Sequence, residues 1–284
     1  MGNQTYIERL ERKYELAISQ SDLLAFCRDV GRHIPIHEFI VGQPTTHSST
    51  LYFDSEDYIL LRDGLLNRFD HIKIRARKYD YDSASLNTSP YCWMELKIKK
   101  GEITKKDRLK LEWRDLQGLL AGRTIDRRVL DSNRSRVSPE ACKRLYAEIQ
   151  NIIAEKGLKP VLLVTYERMA FENGSERLTV DWDIRYYKVE SPVPRLKSLE
   201  HVSKTPVDCE RTLTLELKYS GELPSWMLDL RQKYPICYRS PYSKLVRGMK
   251  ALLKGPLKCR QDSDLLLGMI YAREQQGEVL SERL

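Results

Sequence analysis

The sequence lacks the signatures of several common enzyme classes. It has no Gly-x-x-x-x-Gly-Lys segment and no Gly-x-Gly-x-x-Gly segment, so the P-loop and dinucleotide-binding folds are disfavoured. Its five histidines show no metal-ligand spacing, and no serine or cysteine stands in a nucleophile motif. No run approaches the ~18 apolar residues of a membrane-spanning helix, and Met1 to Glu15 contains no apolar signal region. These absences predict a cytoplasmic protein without direct membrane insertion.

Paired cysteines are also missing. The six cysteines lie far apart with no Cys-x-x-Cys spacing, which gives no support to a zinc ribbon or a redox dithiol. We therefore expect six reduced thiols. They are Cys27, Cys92, Cys142, Cys209, Cys237 and Cys259.

Positive charge is what the chain has in excess. Its 284 residues include 48 Lys and Arg against 40 Asp and Glu, a formal net charge of +8. Such a balance favours a polyanionic partner but does not identify one. On charge alone, nucleic acid, anionic lipid and phosphorylated metabolites all stay open.

The charge follows a strand pattern. In the segment Cys92–Lys100, Glu95, Lys97 and Lys99 alternate with apolar residues, so a strand would have one charged and one apolar face. Three more segments repeat this pattern: 11–16, 71–77 and 212–219. Four such strands suggest that the charged faces meet, as they would around the inside of a barrel. An ordinary antiparallel sheet with its charged faces in solvent would show the same alternation, and that alternative stays open.

An enclosed charged face would need an anion. Its cations would repel each other by several kcal/mol in a partly desolvated site, unless water or a multiply charged anion fills it. A polyphosphate chain or a nucleoside triphosphate has closely spaced oxygens that suit Arg and Lys. The acids could hold cations as ion pairs, or bind a divalent metal that bridges phosphate oxygens. The candidate cations are Lys13, Lys73, Arg75, Arg77, Lys97, Lys99, Lys110, Arg168, Arg177 and Lys218; the acids are Glu11, Glu15, Glu95, Asp181, Asp183 and Glu216.

Hydrophobic periodicity and turn residues predict a single domain, residues 1–284, with a core of about 6–254 and a C-terminal helical extension over 255–284. Predicted strands cover about 6–18, 49–54, 69–79, 91–99, 105–113, 160–170, 177–187 and 211–219. Predicted helices cover about 21–30, 55–62, 138–157, 224–233, 242–253 and 262–276. Residues 80–90 and 191–205 are predicted loops, and the weak periodicity of 112–136 gives no assignment.

A set of short segments, in this order, resembles the triphosphate tunnel metalloenzymes, and more narrowly the catalytic domain of the VTC (vacuolar transporter chaperone) polyphosphate polymerases. The segments run from about Tyr6 to Lys250; each is weak alone, and the ordered set is specific. They are Glu11–Tyr14, Tyr52–Asp54, Lys73–Tyr79, Glu95–Lys97, Tyr166–Phe171, Arg177–Asp181, Leu215–Lys218, Pro224–Trp226 and Tyr242–Lys244.

The resemblance implies an α+β fold, an eight-stranded antiparallel β-barrel (the triphosphate tunnel) with flanking helices. It puts Lys13, Arg75, Arg77, Lys97, Arg168, Arg177, Lys218 and Lys244 on the family's phosphate-binding positions, which we expect to be catalytic. Further substrate-binding residues are expected at Lys73, Lys99, Lys105, Lys110 and Glu95. Glu216 falls on the metal-binding glutamate, for Mn²⁺ or Mg²⁺.

The expected activity is that of an ATP-polyphosphate phosphotransferase, which moves the γ-phosphoryl group of ATP onto a growing polyphosphate chain. Two alternatives stay open: a triphosphatase that uses the same site with water as acceptor, and a binding module that holds polyphosphate without turnover. ATP and inorganic polyphosphate are the expected partners, and nucleic acid is not. The chain has no room for a regulatory domain or membrane helices of the eukaryotic subunits, so coupling to transport would require a membrane partner chain.

Overall fold

A computed structural model of the chain describes residues 9–67, 69–80, 90–101, 103–190, 203–239, 242–260 and 262–281. Its strands are β1 (Arg9–Leu16), β2 (Thr45–Asp54), β3 (Asp70–Asp80), β4 (Tyr91–Lys100), β5 (Ile103–Glu112), β6 (Lys159–Glu172), β7 (Arg177–Lys188), β8 (Asp208–Cys209), β9 (Leu213–Ser220) and β10 (Ile236–Tyr238). Its helices are α1 (Gln20–Gly31), α2 (Ile59–Leu66), α3 (Trp113–Leu120), α4 (Arg127–Asn133), α5 (Pro139–Glu155), α6 (Ser225–Lys233), α7 (Lys244–Lys254) and α8 (Ser263–Ser281). Of the loops predicted over 80–90 and 191–205, residues 81–89 and 191–202 lie outside the described residues.

The strands form one antiparallel sheet in the order β10-β1-β9-β7-β6-β2-β3-β4-β5, with β8 paired to β7. The predicted antiparallel sheet with flanking helices is confirmed, but the closed eight-stranded barrel is wrong. The sheet has ten strands, eight of them long, and within the described residues it ends at β10 and β5. The reason lies at β1, where β10 pairs with Tyr14, Glu15 and Leu16 on the side opposite β9. At these residues β1 has no edge left for β5.

Apolar side chains at alternate strand positions bury the outer face of the sheet under two groups of helices. Leu96 of β4 and Leu109 of β5 belong to a cluster that α3, α4 and α5 cover. Tyr14 of β1 and Leu217 of β9 belong to a second cluster, covered by α1 and α6. Because the outer face is covered, the charged residues between these apolar positions lie on the inner face.

The segment 112–136, which the sequence left unassigned, forms helices α3 and α4. A capping box between Glu112 and Asp115 begins α3, and the Asp126 side chain accepts from Arg128 N to begin α4. The Asn133 side chain bonds both the backbone N–H and the carbonyl of Lys110, which ties α4 to β5. Capping and tertiary contacts therefore supply what the weak periodicity of this segment does not.

The sheet is strongly curved. Lys13 on β1 and Lys73 on β3 are five strand positions apart in the sheet, roughly 24 Å if it were flat. Yet Lys13 is close enough to contribute to lowering the pKa of Lys73, after burial and Lys97. The two halves of the inner face therefore approach each other, and we call it the concave face.

One end of the concave face is filled by apolar side chains. A third cluster joins Leu162 of β6 and Tyr186 of β7 to buried residues of α7 and α8. The change from polar to apolar on β7 occurs at Asp183, whose left-handed backbone (φ 51) coincides with a register shift between β6 and β7. This bulge puts Asp181 and Tyr186 on the same face although they are an odd number of residues apart.

Two predictions about the whole chain can be compared with the structure. All six cysteines are unpaired, as predicted; three are buried and three are exposed. In the part of the chain that the structure describes, every helix is too short or too polar to cross a bilayer.

Gly248→Ala should destabilise the protein. Gly248 lies where α7 meets the sheet, and a Cβ there would be 2.6 Å from Leu162 Cδ2 and 2.6 Å from Tyr186 Cδ1. We expect a loss of roughly 1–3 kcal/mol in the free energy of unfolding, measured by urea titration. The control is Gly268→Ala in α8, where a Cβ would meet nothing within 4 Å, and which should gain roughly 0.5–1 kcal/mol. Equal effects of the two substitutions would contradict the close packing of α7.

Candidate functional site: a basic concave face

The concave face carries a continuous set of cations, which we call the basic face. The strand registers align these residues across neighbouring strands: Lys73 lies opposite Lys97, and Arg177 lies opposite Lys218. The set consists of Lys13, Lys73, Arg75, Arg77, Lys97, Lys99, Lys106, Arg108, Lys110, Arg168, Arg177 and Lys218 on the strands, and Lys244 at the start of α7.

Glu95 on β4 holds two of these cations from a fully buried position. Arg75 Nε donates to Glu95 Oε2 at 2.6 Å, and Lys106 Nζ lies 2.6 Å from Oε1. Burial would raise the pKa of Glu95, but Arg75, Arg77 and Lys106 lower it to about 2. Glu95 is thus ionised and fixes the positions of its neighbours on β3 and β5.

Asp181 on β7 likewise holds two cations from a buried position, on the other half of the sheet. Arg168 donates to both its oxygens, with Nε at 2.6 Å and Nη2 at 2.7 Å, and Lys244 Nζ donates to Oδ2 at 2.6 Å. Although burial opposes ionisation, these two cations hold the pKa of Asp181 below its ordinary value. Bidentate pairing of this kind fixes the guanidinium plane as well as its position.

Lys73 and Lys97 have no such partner: among the described residues neither forms an ion pair or a hydrogen bond. They are opposite each other in the register of β3 and β4. Burial, followed by the nearby cations, lowers the pKa of Lys73 to about 7. Burial also lowers the pKa of Lys97. An anion between these strands would therefore relieve a repulsion already present in the protein.

Glu216 and Glu11 form a compact group with two lysines. Lys218 Nζ lies 3.3 Å from Glu216 and 3.2 Å from Glu11; Lys13 Nζ lies 3.8 Å from Glu216 and 3.1 Å from Glu11. Burial raises the pKa of Glu216, but Lys13 and Lys218 outweigh it and keep the carboxylate ionised. The described residues contain no group of three or more protein metal ligands. Two carboxylates do fit Mg²⁺ or Mn²⁺ that takes its other ligands from phosphate oxygens and water.

Toward the β5 end of the basic face the cations lie over aromatic rings. Lys110 Nζ is 4.1 Å from the centre of the Tyr91 ring, and Arg108 is 4.6 Å from that of Trp93. In these contacts each cation lies against the π surface of an uncharged ring. The positive charge therefore remains on the basic face.

The structure places most of the predicted site residues on the basic face and separates one from it. Lys105 lies on the opposite side of β5, is 64% exposed and pairs with Asp107 at 2.7 Å. Lys106 takes the place on the face that was predicted for Lys105. The sequence places Asp181 only among the acids of the charged strands, and nothing in the spacing indicates that it holds Arg168.

Comparisons with known proteins agree with the earlier resemblance. Residues 8–253 match the VTC domain. The chain is 28% identical over 162 residues to "Vacuolar transporter chaperone complex subunit 4" of Trypanosoma brucei brucei. That match covers 52% of this chain and 20% of the relative, so the chain spans about a fifth of the relative's length.

Two crystal structures resemble the fold only distantly. One, from Bacillus halodurans and described as a candidate adenylate cyclase, has a TM-score of 0.43 and 13% identity, and the overlap covers 84% of this chain and 96% of that one. The other, from Vibrio parahaemolyticus and described in the same way, has a TM-score of 0.36 and 11% identity, with 79% and 83% covered. At these scores neither supports an inference about activity.

Glu95→Gln should destabilise the protein in a pH-dependent way. A pKa of about 2, against 4.5 for an ordinary glutamate, corresponds to about 3 kcal/mol of stability at neutral pH. Because the pKa is lower in the folded state, this contribution is present above pH 4.5 and is lost as the pH falls toward 2. Urea titrations between pH 7 and pH 3 should show the difference between wild type and variant shrinking over the acid range.

Glu155→Gln is the control for this series, because Glu155 is exposed on α5. Its effect should be small at every pH. A Glu95→Gln effect that is equally small, or that does not change with pH, would contradict the ion pairs described for Glu95.

Proposed function

The chain belongs to the VTC domain family, and on that premise we propose that it is a polyphosphate polymerase. In this proposal the basic face binds ATP and a polyphosphate chain, and the γ-phosphoryl group of ATP is transferred to the end of the chain. One observation carries the proposal: the concave face encloses Lys73 and Lys97 without ion-pair partners among the described residues, beside arginines already fixed by Glu95 and Asp181.

A linear polyphosphate suits this arrangement better than most anions do. Its charges repeat along a narrow chain, and the cations repeat along adjacent strands of a curved sheet. Arg75 and Arg168 are held in fixed orientations, so they lose little side-chain entropy on binding phosphate oxygens. Duplex DNA is too wide for a face whose two halves approach closely enough for Lys13 to affect Lys73.

Phosphoryl transfer would depend on positioning and charge neutralisation. A terminal oxygen of the chain forms a bond to the γ-phosphorus, the bond from that phosphorus to the β–γ bridging oxygen breaks, and ADP leaves with the electron pair. Arg75, Arg77 and Arg168 would bind the equatorial oxygens, and Lys13 and Lys218 would orient the chain end. A water molecule in place of the chain end would give hydrolysis at the same site.

The proposal includes a divalent cation, Mn²⁺ or Mg²⁺, held by Glu216 with Glu11 beside it. When bound, it would neutralise charge on the phosphate oxygens that complete its coordination. The carboxylates already keep Lys13 and Lys218 in place, so these residues connect the metal group to the basic face.

We also propose that the chain acts with a partner. The relative in Trypanosoma brucei is by name a subunit of a complex. If synthesis is coupled to transport, a partner chain in a membrane would be needed. We propose that this protein itself is located in the cytoplasm.

Purified protein incubated with ATP and Mn²⁺ or Mg²⁺ should make polymer, and Glu216→Gln should reduce turnover by about 100-fold or more. The loss follows because an amide cannot replace the carboxylate as an anionic ligand. Binding of a non-hydrolysable ATP analogue, measured by calorimetry, should persist because the arginines remain. The assay measures polymer, free phosphate and remaining ATP.

The products of the wild-type protein decide between the alternatives. Free phosphate without polymer would make the protein a triphosphatase, and no consumption of ATP would leave only binding. If Glu216→Gln is fully active with normal metal dependence, Glu216 is only an ion-pair partner of Lys13 and Lys218.

Tripolyphosphate should raise the melting temperature far more than sodium chloride at equal ionic strength. A ligand at a hundredfold excess over its Kd stabilises the protein by about 2.7 kcal/mol, and an enclosed site is screened by salt less than a surface is. The measurement is a thermal-shift series with tripolyphosphate, long polyphosphate, duplex DNA and sodium chloride.

The matched variants are Arg77→Ala on the basic face and Lys143→Ala on the exposed surface of α5. Arg77→Ala should reduce the shift caused by tripolyphosphate, and Lys143→Ala should leave it unchanged. Equal shifts with DNA and tripolyphosphate would show that the cations act as a generic basic surface.

A further inference from the structure

Toward its β5 end, the basic face carries two aromatic rings among its cations. Trp93 on β4 lies directly opposite Arg77 on β3 and Lys110 on β5. Tyr91 is two residues from Trp93 and therefore on the same face of β4. Both aromatic residues are half-buried, so part of each remains open to solvent. A face that bound only phosphate would need the cations but not the rings.

Two arginines lie against the Trp93 ring. The Cζ atom of Arg108 on β5 is 4.6 Å from the ring centre, and that of Arg136, which follows α4 and is exposed, is 4.9 Å from it. Burial lowers the pKa of Arg136, and the nearby charge of Arg108 lowers it further. Among the described residues neither arginine forms an ion pair or a side-chain hydrogen bond. Their guanidinium N–H groups are therefore available to a ligand.

The backbone of Arg136 is fixed relative to β5 by Asn133. The side chain of Asn133, which is 1% exposed, bonds both the N–H and the carbonyl of Lys110. The Arg136 N–H donates to the Asn133 carbonyl at 2.9 Å. The segment that carries Arg136 is thus tied to β5 two residues from Arg108. A side chain on a fixed backbone loses less entropy when it binds a ligand than one on a free segment does.

This combination of ring and guanidinium groups suits a nucleobase. Elsewhere on the basic face, carboxylates hold Arg75 and Arg168 through their N–H edges. Arg108 and Arg136 are held against a ring instead, which leaves those edges unused. Nucleobases stack on aromatic side chains and on guanidinium planes. Arginine N–H groups also donate to N7 of a purine, so one arginine can contribute either surface or hydrogen bonds.

The arginines around Trp93 adjoin those that would bind phosphate. Arg77 lies opposite Trp93 in the register of β3 and β4. The Tyr166 ring centre is 5.9 Å from Cζ of Arg77 and 5.2 Å from Cζ of Arg168, so these two arginines flank one ring. A triphosphate attached to a base at Trp93 would therefore meet Arg77 first and Arg168 next. This order puts the γ-phosphate, which is farthest from the base, deepest in the basic face.

We propose that Trp93, Arg108 and Arg136 form a base subsite, which binds the purine of ATP. The indole ring and the guanidinium planes supply the stacking surface, and the arginine edges donate to the purine nitrogens. The assignment rests on the proposed function in taking ATP as the nucleotide. Inorganic polyphosphate has no base, so this subsite distinguishes the phosphoryl donor from the growing chain that accepts the group.

The test is calorimetric titration of the full chain with a non-hydrolysable ATP analogue and, separately, with tripolyphosphate. Trp93→Leu removes the aromatic surface and should weaken binding of the ATP analogue about tenfold. Its affinity for tripolyphosphate should stay within about twofold of wild type, because that ligand has no base to stack. Trp93→Tyr keeps an aromatic ring and should retain most of the affinity for the analogue.

Arg136→Gln tests the subsite from its exposed side. The variant loses the guanidinium plane and should also bind the ATP analogue more weakly, with tripolyphosphate again unaffected. Arg134→Gln is the matched control, because Arg134 is an exposed arginine two residues away. It should bind both ligands as wild type does. A UTP analogue, whose base is smaller, should bind wild type more weakly than the ATP analogue, and Trp93→Leu should reduce this difference.

The proposal is overturned if Trp93→Leu and Arg136→Gln, with normal melting curves, bind the ATP analogue as wild type does. It is also overturned if they lose affinity for tripolyphosphate to the same extent, since the cluster would then bind phosphate. If Trp93→Leu does not fold, Arg136→Gln against Arg134→Gln decides. Polymer formation by wild type is scored separately. Polymer without these binding differences removes the base subsite alone, and the binding differences without polymer remove the polymerase alone.

Discussion

Repulsion among the cations of the basic face is the constraint on which the rest of the structure depends. Two buried carboxylates, Glu95 and Asp181, each lie between two of these cations and fix their positions. Removing either carboxylate would leave buried positive charge without compensation, which is among the more costly changes a protein can undergo. Among the residues that the structure describes, Lys73 and Lys97 form no ion pair even so. Repulsion among these cations thus favours the anion binding that we propose. The same repulsion limits the stability of the protein without a bound anion.

The sequence predicts the strands well because alternation is a local property. Most strands and helices lie close to their predicted positions, and the charged faces of β1, β3, β4 and β9 are oriented as alternation requires. Closure of the sheet is not local. It depends on which strand pairs with the free edge of β1, and that edge is taken by β10, whose three residues are too few to show a period. Helix α4, with seven residues, is similarly short.

The site residues also differ in whether local alternation predicts their positions. Alternation from Leu109 and Leu111 would have placed Lys106 on the basic face and Lys105 behind it, so that signal was available in the sequence. No signal of this kind indicated the bulge at Asp183. A single left-handed residue reverses the alternation of the strand without changing the pattern of residue types before it.

The open sheet has a mechanical consequence. In a closed barrel, the number of strands and their stagger fix the radius, and no strand can move outward without breaking hydrogen bonds. Within the described residues this sheet has two ends, at β5 and β10, so its curvature can change by small twists spread over many strand pairs. The width of the concave face is then not fixed by strand number and stagger. The concave face can therefore widen or narrow to match the charge and the thickness of a bound ligand.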